Sequence, residues 1–309
     1  MGIEIFAVGR VFETHKVRGT LYDIKNRKPK DKVKMVEQVD PASKQGVRPQ
    51  WLKRLKQLNR IWRLFGSALG FFLFGLGGLV IGIFIFPLIF IFIRNRDTRQ
   101  TVARKLVSNA FKLFLVIVKG LGVLSYEIEG MENAVVRRNQ IIIANHPTLI
   151  DVIFLVSIFP MADCVIKEAI TKNPFMRSVV LSTNYIPSGN TGKLLNTCVS
   201  RLKSGADLLL FPEGTRSVPG KPLDFKLGAA SFAIKSSAEV LFITIQCNQH
   251  RFLVKGEPWY RIPPEKPFIS IQVYPSQSLD SLIPAGLHPR EATRDLNKTF
   301  LKFFESKLG

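Results

Sequence analysis

The chain has 309 residues, which suffices for one large catalytic domain with an appendage or for two small domains. It is 46% hydrophobic, with 24 Phe against 5 Tyr, and its positive mean hydropathy is unusual for a soluble enzyme. A formal net charge of +21 predicts a polyanionic partner, either nucleic acid or an anionic membrane surface. The sequence contains no recognisable nucleic-acid-binding motif, so it argues against nucleic acid and favours a membrane.

Residues 1–50 predict a basic, poorly ordered N-terminal extension. A short apolar start at residues 1–12 leads into a Lys-rich stretch that contains Pro29, Pro41 and Pro49 and shows no hydrophobic periodicity. The start has no long apolar core, so it is not expected to be a secretory signal.

Residues 51–65 predict a basic amphipathic helix at a membrane surface. Apolar residues recur there at helical spacing, and basic residues occupy the positions between them. The apolar residues are Trp51, Leu52, Leu55, Leu58, Ile61, Trp62 and Phe65, and the basic ones are Lys53, Arg54, Lys56, Arg60 and Arg63. The alternative is an ordinary surface helix that packs against the rest of the protein.

The segment 66–93 carries no charge, and as a straight helix it would reach roughly 40 Å, beyond a hydrocarbon core of about 30 Å. It predicts either one tilted membrane span or a re-entrant hairpin that breaks near Gly77-Gly78 or Pro87. Basic residues flank the run on both sides, so the positive-inside rule gives no orientation. Equal flanks favour the hairpin, whose ends both stay on the cytoplasmic side. Residues 51–97 are therefore expected to form a membrane-embedded helical segment.

Residues 98–309 predict an α/β catalytic domain with a mixed, mostly parallel sheet covered by helices. A helical stretch at 98–120 precedes the first strand. Apolar strand patterns occur at residues 125–129, 140–144, 164–166, 208–211, 240–246 and 269–273. The three cysteines lack the spacing of a disulfide framework or a metal site, so we expect free thiols at Cys164, Cys198 and Cys247.

The first motif with chemical potential is IIIANHPTLIDVIFL, residues 141–155. A strand is expected to end at Ala144, and a helix is expected to begin at Pro147, because proline suits a first helical position. His146 would then lie at the carboxyl end of a strand, where open α/β sheets bind ligands. If its ring folds back over the first turn it meets Asp151, which would raise the basicity of the other ring nitrogen. Such a pair can deprotonate a hydroxyl; the alternative is a capping histidine and a surface aspartate.

The second motif is LLLFPEGTRS, residues 208–217. An apolar strand runs directly into a turn that holds Glu213, Gly214, Thr215 and Arg216. Arginine can bind phosphate with two parallel hydrogen bonds, and Glu213 can pair with Arg216 or accept from a substrate hydroxyl. The alternative is a structural ion pair in a tight turn.

Together, NHPTLID and FPEGTRS resemble the lysophospholipid acyltransferases of the glycerol-3-phosphate and 1-acylglycerol-3-phosphate acyltransferase superfamily. The resemblance covers roughly residues 51–275 and includes Lys167, Pro174-Phe175 and FKLGAA at 225–230. It implies an O-acyltransferase that needs no cofactor or metal and forms no acyl-enzyme. In the implied mechanism the general base is His146, and Asp151 orients it.

The resemblance also implies the partners of this enzyme. The donor would be acyl-CoA or acyl carrier protein, and the acceptor a lysophospholipid such as 1-acylglycerol-3-phosphate drawn from membrane lipid. The turn from Glu213 to Arg216 would bind the acceptor through its phosphate, and Lys226 would add a second positive group. The implied location is the cytoplasmic (inner) membrane, with the catalytic domain facing the cytoplasm.

The sequence departs from the family pattern in two places. The family's phosphate-binding arginine is replaced by Ser188 in the stretch Tyr185-Ile186-Pro187-Ser188, and VLFITIQ at 240–246 lacks the usual proline. Loss of one charge-assisted phosphate contact would cost about 1.5–3 kcal/mol. An alternative acceptor is therefore a lipid without that phosphate, such as an amino-acid lipid or a polyene or aryl alcohol. A non-catalytic membrane-binding protein is the alternative from another class.

Overall fold

The computed structural model of the protein describes residues 50–134, 139–172 and 174–308. The predicted N-terminal extension, apart from its last residue, lies outside the described residues. The described chain begins with a pair of long helices and continues into a helix-covered β-sheet.

The first long helix consists of α1 (Gln50–Val80), a π-helical turn (Ile81–Ile85) and α2 (Phe86–Phe92), which follow one another without a break. Among the described residues, the stretch Arg54–Phe92 is long and apolar enough to cross a membrane by length and composition. Only 11% of its most apolar window is buried within the protein, so this apolar surface faces outward. The exposure supports membrane association.

The predicted hairpin within the apolar run is wrong. Helical turns continue through Gly77-Gly78, and Pro87 causes no reversal of the chain. Pro87 lies in the first turn of α2, and the π-helical turn before it is a local adjustment of the kind that accommodates a proline. The alternative of one continuous helix therefore describes this segment.

The chain reverses at residues 93–95, and α3 (Arg96–Gly120) returns alongside α1, as the predicted helix at 98–120 required. Asn95 caps α3, because its side chain accepts hydrogen bonds from the N–H groups of Asp97 and Thr98. This short, capped turn joins the two long helices.

Aromatic packing and a small residue allow α1 and α3 to lie close together. The ring of Phe74 lies 6.0 Å from that of Phe111 and 5.2 Å from that of Phe114. At Gly70 an added Cβ would lie 3.3 Å from Cγ1 of Val118 in α3, so the missing side chain lets the two helices approach closely.

Within the described residues, seven strands form one sheet in the order β1-β7-β6-β2-β5-β3-β4. The strands are β1 (Ser125–Glu129), β2 (Gln140–Ala144), β3 (Asp163–Ile166), β4 (Ile186–Pro187), β5 (Leu208–Leu210), β6 (Glu239–Cys247) and β7 (Phe268–Val273). All neighbouring strands pair in parallel except β6 and β7. The predicted mixed, mostly parallel sheet is confirmed.

Helices cover both faces of this sheet, and alternate residues of β2 face the two layers. Ile142 and Ala144 pack with α3 and the helix that follows β2, while Ile141 and Ile143 pack with the C-terminal helices. The remaining helices are α4 (Asp151–Ile158), α5 (Glu168–Lys172), α6 (Pro174–Thr183), α7 (Thr191–Lys203), α8 (Gly228–Ser236), α9 (Leu279–Leu282) and α10 (Pro289–Leu308). Burial on both faces explains why β2 is entirely apolar apart from its first residue.

A buried ion pair connects α3 to the sheet. Arg104 pairs with Asp163 at the start of β3 and donates to the carbonyls of Met161 at 2.7 Å and Thr183 at 2.9 Å. Arg201 of α7 also contacts the Asp163 carboxylate, at 3.0 Å. Loss of one partner from such a buried pair generally costs about 3–5 kcal/mol, so the second long helix is tightly coupled to the sheet.

The loop between β6 and β7 packs against α1. Arg63 is 2% exposed, and its guanidinium donates to the carbonyls of Pro264 at 2.8 Å and Glu265 at 2.5 Å. The ring of Trp259 lies 5.4 Å from that of Phe71. The first long helix is thereby attached to the sheet as well.

Asp207, just before β5, makes stability depend on pH. Burial raises the pKa of its carboxyl to about 6, against a hydrogen bond from the Gln140 N–H at 3.2 Å, and the charge of Asp163 adds to the rise. The folded pKa lies above the unfolded value of about 4. The folded state therefore holds the extra proton between these values, and the free energy of unfolding falls as pH rises through this window.

Asp207→Asn is expected to remove this loss of stability with rising pH, because an amide does not ionise. Its oxygen can still accept the hydrogen bond from the Gln140 N–H. We expect the free energy of unfolding to rise by about 1–3 kcal/mol at pH 7.5 and by much less at pH 4. Thermal unfolding of the detergent-solubilised protein at both pH values measures the difference. An equal effect at the two values would contradict the assignment of the shift to Asp207.

Candidate active site

The candidate site lies where β2 and β5 end, at the carboxyl edge of the sheet. The chain leaves β2 through Asn145, whose side chain donates to the carbonyl and accepts from the N–H of Ile245, both at 2.8 Å. Since Ile245 belongs to β6, the neighbour of β2, this exchange secures the start of the loop that carries His146.

The predicted contact between His146 and Asp151 is confirmed. Nδ1 of His146 lies 2.8 Å from Oδ2 of Asp151, and its ring stacks on Phe211 with centroids 4.1 Å apart. Asp151 is fully buried and also accepts hydrogen bonds from the N–H of Thr148, at 2.7 Å, and from its hydroxyl. With Nδ1 bound to the carboxylate, Nε2 is the ring nitrogen available to a substrate.

The predicted helix start at Pro147 is wrong, since α4 begins at Asp151. The hydrogen bonds from Thr148 to the Asp151 carboxylate form a side-chain-closed turn ahead of the helix. The next N–H group, that of Leu149, donates to the carbonyl of Leu253 at 3.0 Å. These competing partners delay the helix and leave His146 in a loop.

Glu213 binds the backbone of His146. Its Oε1 accepts from the His146 N–H at 3.0 Å and from the Ser217 hydroxyl at 2.9 Å, while the Ser217 N–H donates to the His146 carbonyl at 2.8 Å. Both backbone polar groups of His146 therefore bind the turn after β5. We call this arrangement the His146 bracket.

Arg216 has different partners from those predicted. Its Nη1 donates to the carbonyls of Leu253 at 3.0 Å and Val254 at 3.3 Å. Of the two partners considered for Glu213, the ion pair with Arg216 does not form, because the Glu213 carboxylate is bound to His146 and Ser217. Among the described residues, Nε and Nη2 of Arg216 have no hydrogen-bond partner, so they can reach an anionic ligand.

The other predicted binding residues lie on or beside the same turn. Gly214 has φ +65, a left-handed conformation that glycine adopts without strain, and Thr215 follows it half-buried. The N–H of Lys226 donates to the carbonyl of Pro212 at 2.8 Å, which places Lys226 next to the turn. Its exposed side chain pairs with Asp224 at 2.5 Å.

Two buried carboxylates surround His146. Burial raises the pKa of Asp151, against hydrogen bonds from His146 and Thr148 that favour the charged form. Burial also raises the pKa of Glu213, against hydrogen bonds from the His146 N–H and from Ser217. Both carboxylates contact His146, Asp151 at its ring and Glu213 at its backbone N–H.

Comparison with known proteins connects this geometry to a family. Residues 125–247, which contain both motifs, match the family model named Acyltransferase. The 1-acyl-sn-glycerol-3-phosphate acyltransferase of Helicobacter pylori is 32% identical over 108 residues, which cover 33% of this chain and 46% of that protein. The enzyme of the same name from Borreliella burgdorferi is 24% identical over 170 residues, covering 50% of this chain and 67% of that protein.

Residues 125–247 of the chain are thus similar to the acyltransferase family. The chain matches between about a third and two thirds of the length of these curated relatives. The chloroplast 1-acyl-sn-glycerol-3-phosphate acyltransferase of Arabidopsis thaliana is 30% identical over a segment that covers 38% of this chain and 35% of that protein. The crystal structure of the 1-acyl-sn-glycerophosphate acyltransferase PlsC from Thermotoga maritima has the same fold. It aligns with a TM-score of 0.61 at 21% identity over 80% of this chain and 98% of that one.

In this protein, the position of the expected arginine lies at the far edge of the sheet. Ser188 follows β4, is exposed, and donates its N–H to the carbonyl of Ile166 at 2.8 Å. Because β4 is three strands away from β2, the serine lies roughly 14 Å from the strand that carries His146, at about 4.8 Å per strand. An arginine there would extend only part of the way toward that strand, and the serine hydroxyl reaches still less far.

Two hydroxyl residues in the site were missed by sequence reasoning. Thr148 binds the Asp151 carboxylate, and Ser217 closes the His146 bracket. Thr148 belongs to the motif NHPTLID and Ser217 to FPEGTRS. Their presence in these motifs was the only feature of the sequence that could have indicated a role in the site. Their roles depend on contacts between two segments that are far apart in sequence.

Ser217→Ala is expected to lower kcat about threefold to tenfold with an unchanged KM, because Glu213 Oε1 loses one of the two hydrogen bonds it accepts while the bond from the His146 N–H remains. Ser217→Thr retains a hydroxyl and should recover most of the rate. Ser281→Ala, whose hydroxyl bonds only a local carbonyl in an exposed turn, is the control and should leave kcat unchanged. A rise in KM with an unchanged kcat would instead indicate that Ser217 binds substrate directly.

Proposed function

We propose that the protein transfers a fatty acyl group from a thioester donor to the hydroxyl of a lysophospholipid, with His146 as the general base. The observation that carries this proposal is the 2.8 Å contact between His146 and a fully buried Asp151, at the strand ends of an acyltransferase-family domain. The His146 bracket supports it, because it holds the backbone of the base in place.

The reaction follows from the available nitrogen of the ring. Nε2 of His146 accepts the proton of the acceptor hydroxyl while the hydroxyl oxygen attacks the carbonyl carbon of the thioester. The tetrahedral intermediate collapses with cleavage of the carbon–sulfur bond, and Nε2 returns the proton to the leaving thiolate. Asp151 keeps the ring oriented and stabilises the transient imidazolium. The hydroxyl attacks directly, so no acyl-enzyme forms.

The acceptor we favour is 1-acylglycerol-3-phosphate. The curated relatives quoted above carry that substrate in their names, and the site supplies cations for a phosphate. Arg216 has two unpaired guanidinium nitrogens among the described residues, Lys226 is exposed beside it, and Lys167 follows β3 at the same edge of the sheet. Ser188 is the observation that favours the alternative, an acceptor without a phosphate.

We place the enzyme on the cytoplasmic face of a bacterial-type inner membrane. The amphipathic part of α1 has an apolar stripe whose residues are each more than half exposed: Trp51, Leu55, Leu58, Ile61 and Phe65. An apolar cavity of about 600 Å³ lies between α1 and α3, lined by residues such as Leu73, Phe74, Val107, Phe111 and Phe114. Both features suit a substrate that remains partly in the lipid phase.

The acceptor class is tested by comparing lysophosphatidic acid with a monoacylglycerol of the same acyl chain. Purified protein in detergent is supplied with an acyl-CoA, and the products are followed by mass spectrometry. We expect lysophosphatidic acid to react at least about tenfold faster, because a charge-assisted phosphate contact contributes about 1.5–3 kcal/mol. Equal rates, or a faster monoacylglycerol, would overturn the phosphate acceptor and support the alternative.

The Ser188→Arg variant sharpens this comparison. If the phosphate binds at this edge of the sheet, the added guanidinium should lower KM for lysophosphatidic acid about tenfold and leave KM for monoacylglycerol unchanged. An equal change in KM for both acceptors would contradict a phosphate contact at position 188.

A further inference from the structure

A second cavity lies behind the loop that carries His146. Its volume is about 380 Å³, within the range of about 300–1,000 Å³ typical of small-molecule sites. The catalytic loop contributes Asn145, Pro147 and Thr148 to its wall, and the turn after β5 contributes Ser217. The cavity thus shares residues with both motifs, and nothing described so far occupies it.

The residues on either side of His146 line the cavity, whereas His146 itself is not among the lining residues. The ring stacks on Phe211, which packs with the core beneath α3 and α4. The opposite part of the cavity wall comes from the last turn of α10, at Glu305 and Leu308, and from Leu223, which packs with the other core. A ligand in the cavity would therefore approach the reacting atoms from the side away from the two long helices.

The lining combines an apolar interior with polar groups at an open rim. Pro147, Val218, Pro222 and Val254 are among the apolar members, and Gln249 is the half-buried amide. Three charged or titratable side chains lie in the exposed part of the wall: Lys221, His250 and Glu305. This pattern suits a long, uncharged chain with amide groups that ends in a phosphate.

We propose that this cavity binds the 4′-phosphopantetheine arm of the acyl donor, with its phosphate near Lys221 and His250. The inference rests on the proposed function and adds where the donor binds. In acyl transfer the thioester must reach His146 while the acyl chain enters an apolar region and the polar arm leaves it. The long helices provide apolar surface for the acyl chain, and the cavity, with Lys221 and His250 at its open rim, provides the polar exit.

The walls of the cavity are preorganised for such a ligand. Asn145 is held by two hydrogen bonds to β6, and the 218–221 turn is closed by the Lys221 N–H donating to the Val218 carbonyl at 3.1 Å. Pro219 lies within this turn and Pro222 follows it, and both restrict its backbone. A defined cavity needs less ordering when a flexible arm binds.

Cys247 provides a direct reporter of occupancy. It lines the cavity and is half-buried, whereas Cys164 and Cys198 are buried within the cores. A maleimide should therefore modify Cys247 in preference to the other two thiols, and Cys247→Ala should abolish the fast labelling. The reporter needs no turnover, so it gives a result even if no acyl acceptor is known.

The first experiment measures the rate of Cys247 alkylation by N-ethylmaleimide with and without ligands. Desulfo-CoA, which carries the arm but no competing thiol, should slow alkylation about tenfold at a concentration about ten times its Kd. Acyl-loaded carrier protein should protect in the same way if it is the donor, whereas apo carrier protein, which lacks the arm, should not. Protection by lysophosphatidic acid but by none of the donors would overturn the proposal.

The second experiment compares Lys221→Glu with Lys203→Glu, an identical charge change at the exposed end of α7. Lys221→Glu should raise KM for acyl-CoA about tenfold, because one charge-assisted phosphate contact is lost, while KM for the acceptor stays unchanged. Equal effects of the two variants would contradict the site. If the protein transfers acyl groups but donors neither protect Cys247 nor bind more weakly to Lys221→Glu protein, the proposed donor site is wrong and the proposed function stands. If donors protect Cys247 but no acyl acceptor reacts, the proposed function is wrong and the donor site stands.

Discussion

Replacing His146 with alanine is expected to lower kcat about 10²–10⁴-fold, the usual contribution of a general base. No other described histidine has a carboxylate partner of this kind, since the contact with Asp151 at 2.8 Å is the only His–acid pair among the described residues. The ring is 15% exposed, so its loss should leave the fold and membrane association intact. Initial rates of acyl transfer in detergent, together with the membrane-bound fraction of the protein, measure both effects.

His288→Ala is the matched control for this experiment. His288 is exposed at the start of α10, far along the chain from both motifs, and its replacement should leave kcat unchanged. Equal rates for wild type and His146→Ala would remove His146 from the chemistry. A His146→Ala protein that no longer binds membranes would indicate a structural role instead.

Asp151→Asn is expected to cost a similar factor, about 10²–10⁴ in kcat, by a different route. If the amide nitrogen takes the place of Oδ2, the amide oxygen still accepts from the Thr148 hydroxyl, while the Thr148 N–H, which shares Oδ2 with His146, loses its acceptor. The amide nitrogen, however, would donate to His146 and favour the tautomer whose Nε2 carries the proton and cannot act as a base. Because Asp151 is fully buried, water cannot substitute for the lost carboxylate oxygen.

The distinguishing readout for Asp151→Asn is kinetic. KM for donor and acceptor should stay near the wild-type values, while the free energy of unfolding should fall by about 1–3 kcal/mol, because the buried Thr148 N–H loses its acceptor. Asp295→Asn, which removes an exposed carboxylate paired with Lys298, should leave kcat unaltered. A variant that kept wild-type kcat would show that the orientation of His146 does not depend on Asp151.

The sheet was predictable because its buried parallel strands consist of apolar runs. β2 is confirmed at residues 140–144, and the predicted strand at 240–246 lies within β6. β4 was not predicted, because its two residues contain no alternation and its existence depends on pairing with β3. The free thiols expected at the three cysteines are also confirmed.

The partners within the site were less predictable, because they depend on contacts across the fold. Glu213 and Arg216 are three residues apart, so an ion pair between them was one expectation from the sequence. Glu213 instead binds His146, 67 residues away in sequence. The helix expected at Pro147 was displaced by hydrogen bonds from Thr148 to Asp151, since a capping side chain outweighed the preference of proline for a first turn.

The apolar run was misread for a related reason. Glycines and a proline permit a break but do not require one, and the structure places no neighbouring atoms within 4 Å of an added Cβ at Gly77 or Gly78. The helix therefore continues through them, and the reversal occurs at residues 93–95, where polar residues first return.

The central claim is acyl transfer to a lysolipid hydroxyl by the pair His146 and Asp151. The most direct measurement is the formation of phosphatidic acid from labelled acyl-CoA or acyl carrier protein and lysophosphatidic acid by purified wild-type protein, with His146→Ala protein prepared in parallel. We predict product in proportion to the amount of wild-type protein and almost none with the variant. The claim would be contradicted if wild-type protein consumed no acyl thioester with any lysolipid, or if the two proteins formed equal amounts of product.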